Sequence, residues 1–371
     1  MDINLNIKPG LRIRTFYLFF IIVGAQVGVG VLGVPRYIFE EARQDSWISI
    51  LIAFVYMAIV ASAMLLILNQ YKNADIFGIQ VDIFGKWVGK LLGTIYIIFF
   101  TAELLSVILT YTQVVQVFLY PTMSSLTMGV LLMILIVYSV LGGIRVVVGV
   151  AFLCILIAPW IFILLYDPIS RIEMSHYLPM FQASATELLK GAKATVYTFL
   201  GLEILFIIYP FVDNKKKAKR PIFLGLVISA LHVLITTIIA IGYYSSYGLS
   251  IMQWPVLALF KSVTLPFLER FDYLVVAQWM MVALPTMVFL MWAATYGVKR
   301  LYGISQKKAL YSIAILQLIT ITFIQTDNTI QKVTNIVAKV GFWIVFVYPI
   351  VLLPVVLLKK KLQKHKGSAN S

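Results

Sequence analysis

Charge is scarce in this sequence: Asp, Glu, Lys and Arg make up 12% of 371 residues, about half the share found in a soluble globular domain. With 61% of the residues hydrophobic, too little polar surface is left to coat a water-soluble fold, and that class is excluded. Cysteine is almost missing. Cys154 is the single one and lies inside an apolar run, so it reads as a small core residue and an intrachain disulfide is impossible. Histidine is nearly as rare, with His176 and His365 in aqueous segments and His232 inside an apolar run. There is no His-Glu-x-x-His pattern and no nucleophile beside a base, so no catalytic residue, metal site or cofactor is expected. His232 is read as packed or bonded to its own helix. Low-complexity linkers are absent, which argues for one domain. No short apolar core with a small-residue cleavage site opens the chain, so the N-terminus is expected to be kept.

Acidic residues are the scarcer sign, 15 against 30 Lys and Arg. In a soluble chain a net charge of +15 would suggest nucleic acid. Here the basic residues sit mostly in short loops between apolar runs, and membrane topology accounts for them without a nucleic-acid partner.

What is present is a series of unbroken apolar runs of helical length, not the short alternating strands of a membrane β-barrel. They cover 14–38, 47–68, 91–119, 125–141, 146–166, 188–212, 221–244, 274–298, 309–325 and 335–358. Ten spans put both termini on one side. With that side cytoplasmic, inner segments hold 21 of the 30 Lys and Arg, as the positive-inside rule requires. The expected organisation is one integral membrane domain over 1–371, with repeats at 1–165 and 186–358 and a basic cytoplasmic tail at 359–371. The tail lysines are read as a stop and orientation signal that also meets anionic membrane lipid. Residues 76–90 place Ile76, Ile79, Ile83, Phe84 and Trp87 at helical spacing, predicting an interfacial amphipathic helix. Residues 250–272, on the outside, carry Trp254-Pro255 and Pro266-Phe267 and predict a short broken helical hairpin on an outer vestibule.

Five plus five spans force the two halves into opposite orientations, the arithmetic of an inverted repeat. The first span of each half is interrupted. Gly24, Gly28, Gly30 and Gly33 fall within ten residues of the first, and Gly201 lies mid-way along the sixth. Glycines in one span alone fit a close-packing face; matched interruptions point to helices unwound around a midplane cavity. An outer half-helix starting near Gly30, Val31 and Leu32 would then offer N–H groups and a positive dipole end to a carboxylate. The carbonyls of Tyr197, Thr198 and Phe199 would suit an ammonium. A zwitterion fits between them, and the apolar neighbours suggest a small apolar amino acid. Glu103 and Glu203 lie within spans, where ionised groups are costly unless paired or wet. Glu203 either lines the cavity or satisfies the N-terminus of the inner half-helix. Glu103 either lines it, pairs with a lysine or stays protonated. Pro285-Thr286 in the eighth span offers a bend with one hydroxyl. The candidate binding set is thus Gly28, Gly30, Val31, Leu32, Glu103, Thr198, Phe199, Gly201, Glu203 and Thr286.

The Gly-rich first span running into Val34-Pro35-Arg36-Tyr37 resembles the B subunits of GerA-type germinant receptors. So do Trp254-Pro255-Val256-Leu257-Ala258-Leu259 and Phe267-Leu268-Glu269-Arg270-Phe271-Asp272. These B subunits form the spore germination permease family of the amino acid, polyamine and organocation transporters. The resemblance covers essentially the whole chain. It implies an all-α membrane protein of ten transmembrane helices in a five-plus-five, LeuT-like inverted repeat with broken first and sixth helices. It also implies the inner membrane of a bacterial spore, A and C subunits as partners, and recognition of a small-molecule germinant such as an amino acid. An amino acid permease and a channel component for ion release are the alternatives. Proton-coupled relatives can carry a lysine in the fifth span, which here has no charge, and the paired hydroxyls of a sodium site are missing from the eighth; both favour sensing over coupled transport.

Overall fold

The computed structural model describes residues 2–263 and 271–369. Among these every regular element is helical, with one isolated bridge between Ile13 and Val212. Runs this apolar have no other choice, because backbone groups within a bilayer must bond inside their own segment. Six helical stretches are each long and apolar enough to cross a membrane: Gly30–Asn69, Ile76–Phe118, Gly143–Ser170, Lys215–Tyr243, Tyr273–Tyr302 and Asp327–Gln363. Tyr17–Gln26 and Ser125–Leu141 are apolar but shorter. Large aliphatic side chains stand outward on these helices, Ile98, Ile134 and Leu156 each more than 60% exposed, which suits a lipid-facing surface and no aqueous one.

The two expected interruptions divide their spans. Helix Tyr17–Gln26 stops, residues 27–29 run non-helically, and Gly30–Ala42 resumes. In the second half Ala185–Ala194 gives way to turns across 195–203 before Ile204–Ile208. The helix Ile76–Phe118 and the helix Phe271–Tyr302 pack side by side through the centre, and the broken pair lies against them.

Two expectations need revision. Residues 76–90 are not a helix floating on the interface. Ile76, Phe77, Ile79 and Gln80 are fully buried; the chain reverses at Gly85, whose φ of 82° is open to glycine, and the helix then continues to Phe118. Trp87, 85% exposed just past the turn, is the residue left to meet the interface. The tenth helix starts at Asp327 and not at 335, and it runs to Ala369 through a π-turn at Phe342–Val347. Its first two turns are polar on one face and so escape a hydropathy reading. The outer segment forms Ser246–Ile251 and Pro255–Leu259, both packed on Gly30–Ala42. The expected second arm, with Pro266 to Arg270, lies outside the described residues.

Candidate functional site

The break in the first span is stabilised from the eighth. In a continuous helix the Gly24 carbonyl would accept from Gly28; instead it accepts from Thr286 Oγ1 at 2.9 Å. Gly28 passes directly over that hydroxyl, since a Cβ there would lie 3.1 Å from Thr286 Oγ1. The Gly28 carbonyl accepts from Trp279 Nε1 at 3.4 Å. Beyond the break, Gly30 and Val31 head the outer half-helix without an intrahelical acceptor. Leu32, expected to be free as well, gives its N–H to the Val29 carbonyl at 3.2 Å.

The crossing of the sixth span is built on two glycine contacts. A Cβ on Gly30 would fall 2.9 Å from Thr198 Cα, and one on Gly201, whose φ is +105°, would fall 2.5 Å from the Ala25 carbonyl oxygen. Only glycine allows the two broken spans to touch here. The Phe199 carbonyl, expected to await an ammonium, accepts from Gln26 Nε2 at 3.2 Å. Backbone groups freed by the breaks are thus largely taken up by side chains of the protein itself.

Above the crossing lies a cavity of about 530 Å³. Its floor is Gly30 and Thr198, and Trp254 and Gln253 of the outer segment overhang one side. Its opposite wall carries a chain of hydroxyls: Tyr197 meets Ser106 at 3.0 Å and Thr110 at 3.5 Å, and Ser106 meets Thr334 at 3.0 Å. Glu40, Glu41, Lys193 and Lys339 line its more open part. Gln113, also on the wall, donates to Asp327 Oδ1 at 2.6 Å.

Of the ten candidate residues, Gly30 and Thr198 line this cavity. Gly28, Gly201 and Thr286 shape the crossing beneath it. Val31 and Leu32 are fully buried. Phe199 faces a separate apolar pocket of about 330 Å³, shared with Met57 and Phe346. Glu103 and Glu203, 2% and 0% exposed, lie off the cavity wall as neighbours of each other. Glu203 Oε2 also accepts from the Gly201 N–H at 2.9 Å, two residues before it, and makes no cap bond to Ile204–Ile208, so it does not satisfy the N-terminus of the inner half-helix as one reading of the sequence had it. Among the residues missed by reading breaks alone is Thr334, while Tyr197 was foreseen only through its carbonyl and Trp254 only as part of the outer segment. A signal for Thr334 existed, since Ile330, Val333 and Val337 already keep helical spacing across it.

The far side of the crossing is shut. Ile13 N–H donates to the Phe211 carbonyl at 2.9 Å and Asp213 N–H to the Ile13 carbonyl at 3.0 Å. Beside them Asp75, fully buried, accepts from Gly78 N–H at 2.8 Å, Tyr296 Oη at 2.7 Å and Arg300 Nε at 2.8 Å. Arg300 Nη2 reaches on to the Asp2 carbonyl at 2.9 Å, pinning the N-terminal segment. The geometry is that of a vestibule open on one face and latched on the other.

The family model described as spore germination protein matches residues 12–333. The chain is 30% identical to spore germination protein GerQB of Bacillus cereus over 353 residues, covering 95% of this chain and 98% of that one. It is 24% identical to spore germination protein YndE of Bacillus subtilis (strain 168) over 361 residues, covering 96% and 99%. Among solved structures it is similar to a Na⁺-coupled sialic acid symporter in a substrate-bound outward-open state. The TM-score is 0.62 at 12% identity, covering 95% of this chain and 77% of that one. It is also similar to MhsT in complex with L-phenylalanine, with a TM-score of 0.61 at 14% identity and coverage of 92% and 88%. At these identities the likeness establishes the fold, the LeuT-like arrangement with broken first and sixth helices.

Proposed function

This chain belongs to the spore germination protein family, and from that membership we propose that it is the germinant-recognising B subunit of a spore receptor. It is an integral membrane protein built on a transporter fold. The germinant is a small molecule, an amino acid by preference, held in the cavity above the crossing and read out by A and C subunits in the spore inner membrane. On this reading both termini are cytoplasmic, the chain crosses the membrane ten times as one domain, and the latched face is the inner one. The observation that carries this reading is the cavity floored by Gly30 and Thr198, where both broken spans meet. The N–H groups of Gly30 and Val31 and the dipole of the outer half-helix favour a carboxylate there. With the Phe199 carbonyl engaged by Gln26, the ammonium is better served by the hydroxyls of Tyr197 and Thr334, or by Glu40 and Glu41 nearer the opening. Trp254 supplies an apolar cover for the side chain.

A sensor works because ligand favours one of two arrangements of the same bundle. A permease would use the same cavity and pass its ligand across, and the likeness to two transporters keeps that reading in view. Two assays separate them. Purified protein is tested for saturable binding of labelled amino acids, sugars and nucleosides, with Thr198→Val and Trp254→Ala as cavity variants. The same compounds are then offered to proteoliposomes. Binding lost in both variants with no labelled compound entering the vesicles is the outcome expected of a sensor subunit. Binding indifferent to both would remove the cavity from consideration, and sustained uptake would make the protein a permease.

A further inference from the structure

Beneath the cavity, Glu103 of the third span and Glu203 of the sixth are buried neighbours. Glu203 Oε2 is held by the Gly201 N–H. Glu103 Oε2 and Glu203 Oε1 have no partner, and no ion pair among the described residues involves either group. The titratable side chains that act on the pair are phenols: Tyr197 from the sixth span next to Glu103, and Tyr96 from the third next to Glu203, itself beside Tyr348 of the tenth. No Lys, Arg or His is among the groups acting on the two carboxyls. Gln26, bonded to the same crossing through Phe199, leaves its own Oε1 unpartnered, so a third buried acceptor there lacks a donor.

Two carboxylates in contact, in a medium of low dielectric, repel too strongly to coexist as anions. A single proton turns that repulsion into a short charge-assisted bond and supplies the missing donor. We infer that Glu103 and Glu203 hold one proton between them, and that this proton fastens the inner half of the sixth span to the third until its release lets the inner face open. The mechanical path is short. Glu203 heads Ile204–Ile208, the chain turns at Tyr209–Phe211, and Val212 is bridged to Ile13 at the closed face. The site is a proton site distinct from the germinant cavity, and it stands whether or not the protein recognises germinants.

Glutamine separates this role from mere capping, because its amide oxygen keeps the Gly201 N–H while its amide N–H replaces the shared proton. The first readout is infrared spectroscopy of the full chain in phosphatidylcholine vesicles. Wild type should show a protonated-carboxyl band at neutral pH that Glu103→Gln and Glu203→Gln each abolish. The second is thiol labelling of Ile13→Cys in a Cys154→Ser background, with each rate divided by that of the same thiol in denaturant to remove thiolate chemistry. As the pH is raised the corrected rate should climb about tenfold or more with wild-type carboxyls and stay flat in Glu103→Gln. A band that survives both substitutions, or the same pH profile in Glu103→Gln as in its parent, overturns the proposal. Labelling that responds to sodium and not to pH overturns it in favour of a metal cation.

Discussion

Replacing Thr286 with valine tests whether the break in the first span is an equilibrium held open by one hydroxyl. Valine keeps the shape and removes only the donor to the Gly24 carbonyl, a bond of 2.9 Å in a site 5% exposed. In water-soluble proteins an orphaned buried acceptor costs about 1–3 kcal/mol. In bilayers, side-chain bonds between helices average only about 0.6 kcal/mol and reach about 1.7, because the separated helix finds other partners. Here that other partner is specific: the Gly28 N–H, which would close the ordinary helical bond to Gly24 if the span straightened. Thr286→Val therefore favours the continuous helix by an amount near the top of the bilayer range, about 1–2 kcal/mol, a shift of about 5- to 30-fold between broken and continuous forms. Hydrogen exchange in lipid nanodiscs is the assay. The Gly28 amide should exchange more slowly in Thr286→Val than in wild type, and Thr286→Ser, which restores the donor, should return it. Equal exchange in Val and Ser variants would show that the hydroxyl does not hold the break, and the account of the crossing would fail with it.

Gly201→Ala places a Cβ 2.5 Å from the Ala25 oxygen at a φ of +105°; strain and overpacking together should cost about 2–6 kcal/mol. Gly248→Ala, whose Cβ meets only Ser245 Oγ at 3.2 Å, is the control, and melting of both by tryptophan fluorescence in detergent should separate them clearly. Arg300→Ala leaves Asp75 buried without its cation and should destabilise by about 3–5 kcal/mol, whereas adding Asp75→Asn to it should recover part of that loss; a double variant no better than the single would show that the charge of Asp75 is not the issue. Asp82 gives a pH dependence. Burial pushes its carboxyl up, but the bond from Tyr71 at 2.8 Å and the ammonium groups of Lys360 and Lys359 outweigh burial and hold it below the usual carboxylate range. A lowered carboxyl adds stability above its unfolded pKa and loses it as pH falls through the folded one. A fluorophore on Leu362→Cys should thus report a docked helix end at pH 6 and release below about pH 4, and Asp82→Asn should abolish that transition.

Much of the architecture was legible because the bilayer restricts the choices. Apolar runs of spanning length can only be helices, and matched glycine interruptions in the first span of each half locate the crossing. What could not be read is pairing across the bundle. Glu103 and Glu203 are each anomalous in their own spans, but nothing in local spacing says that one anomaly answers the other. Thr286 stood out as a hydroxyl beside a proline; that its partner is Gly24 depends on how the eighth span packs on the first. The hydrophobic pattern at 76–80 was read correctly as one apolar face and assigned to the wrong neighbour, since lipid and protein interior reward the same residues. Thr334 escaped because hydropathy marks where a helix enters lipid, not where it begins.

The π-turn at Phe342–Val347 makes the tenth helix two registers joined end to end. One surplus residue advances the side-chain direction by about 100°, over a quarter of a revolution. Thr334 and Lys339 face the vestibule while Tyr348, further along the same rod, accepts from Gln80, and a uniform α-helix could not aim both sets as they stand. The surplus behaves like a dislocation in a crystal row: wherever it sits, everything on one side of it is out of phase with everything on the other. Deleting a single residue from that turn would heal the row and swing one end of the helix away from its partners, with no side chain at either end having been changed.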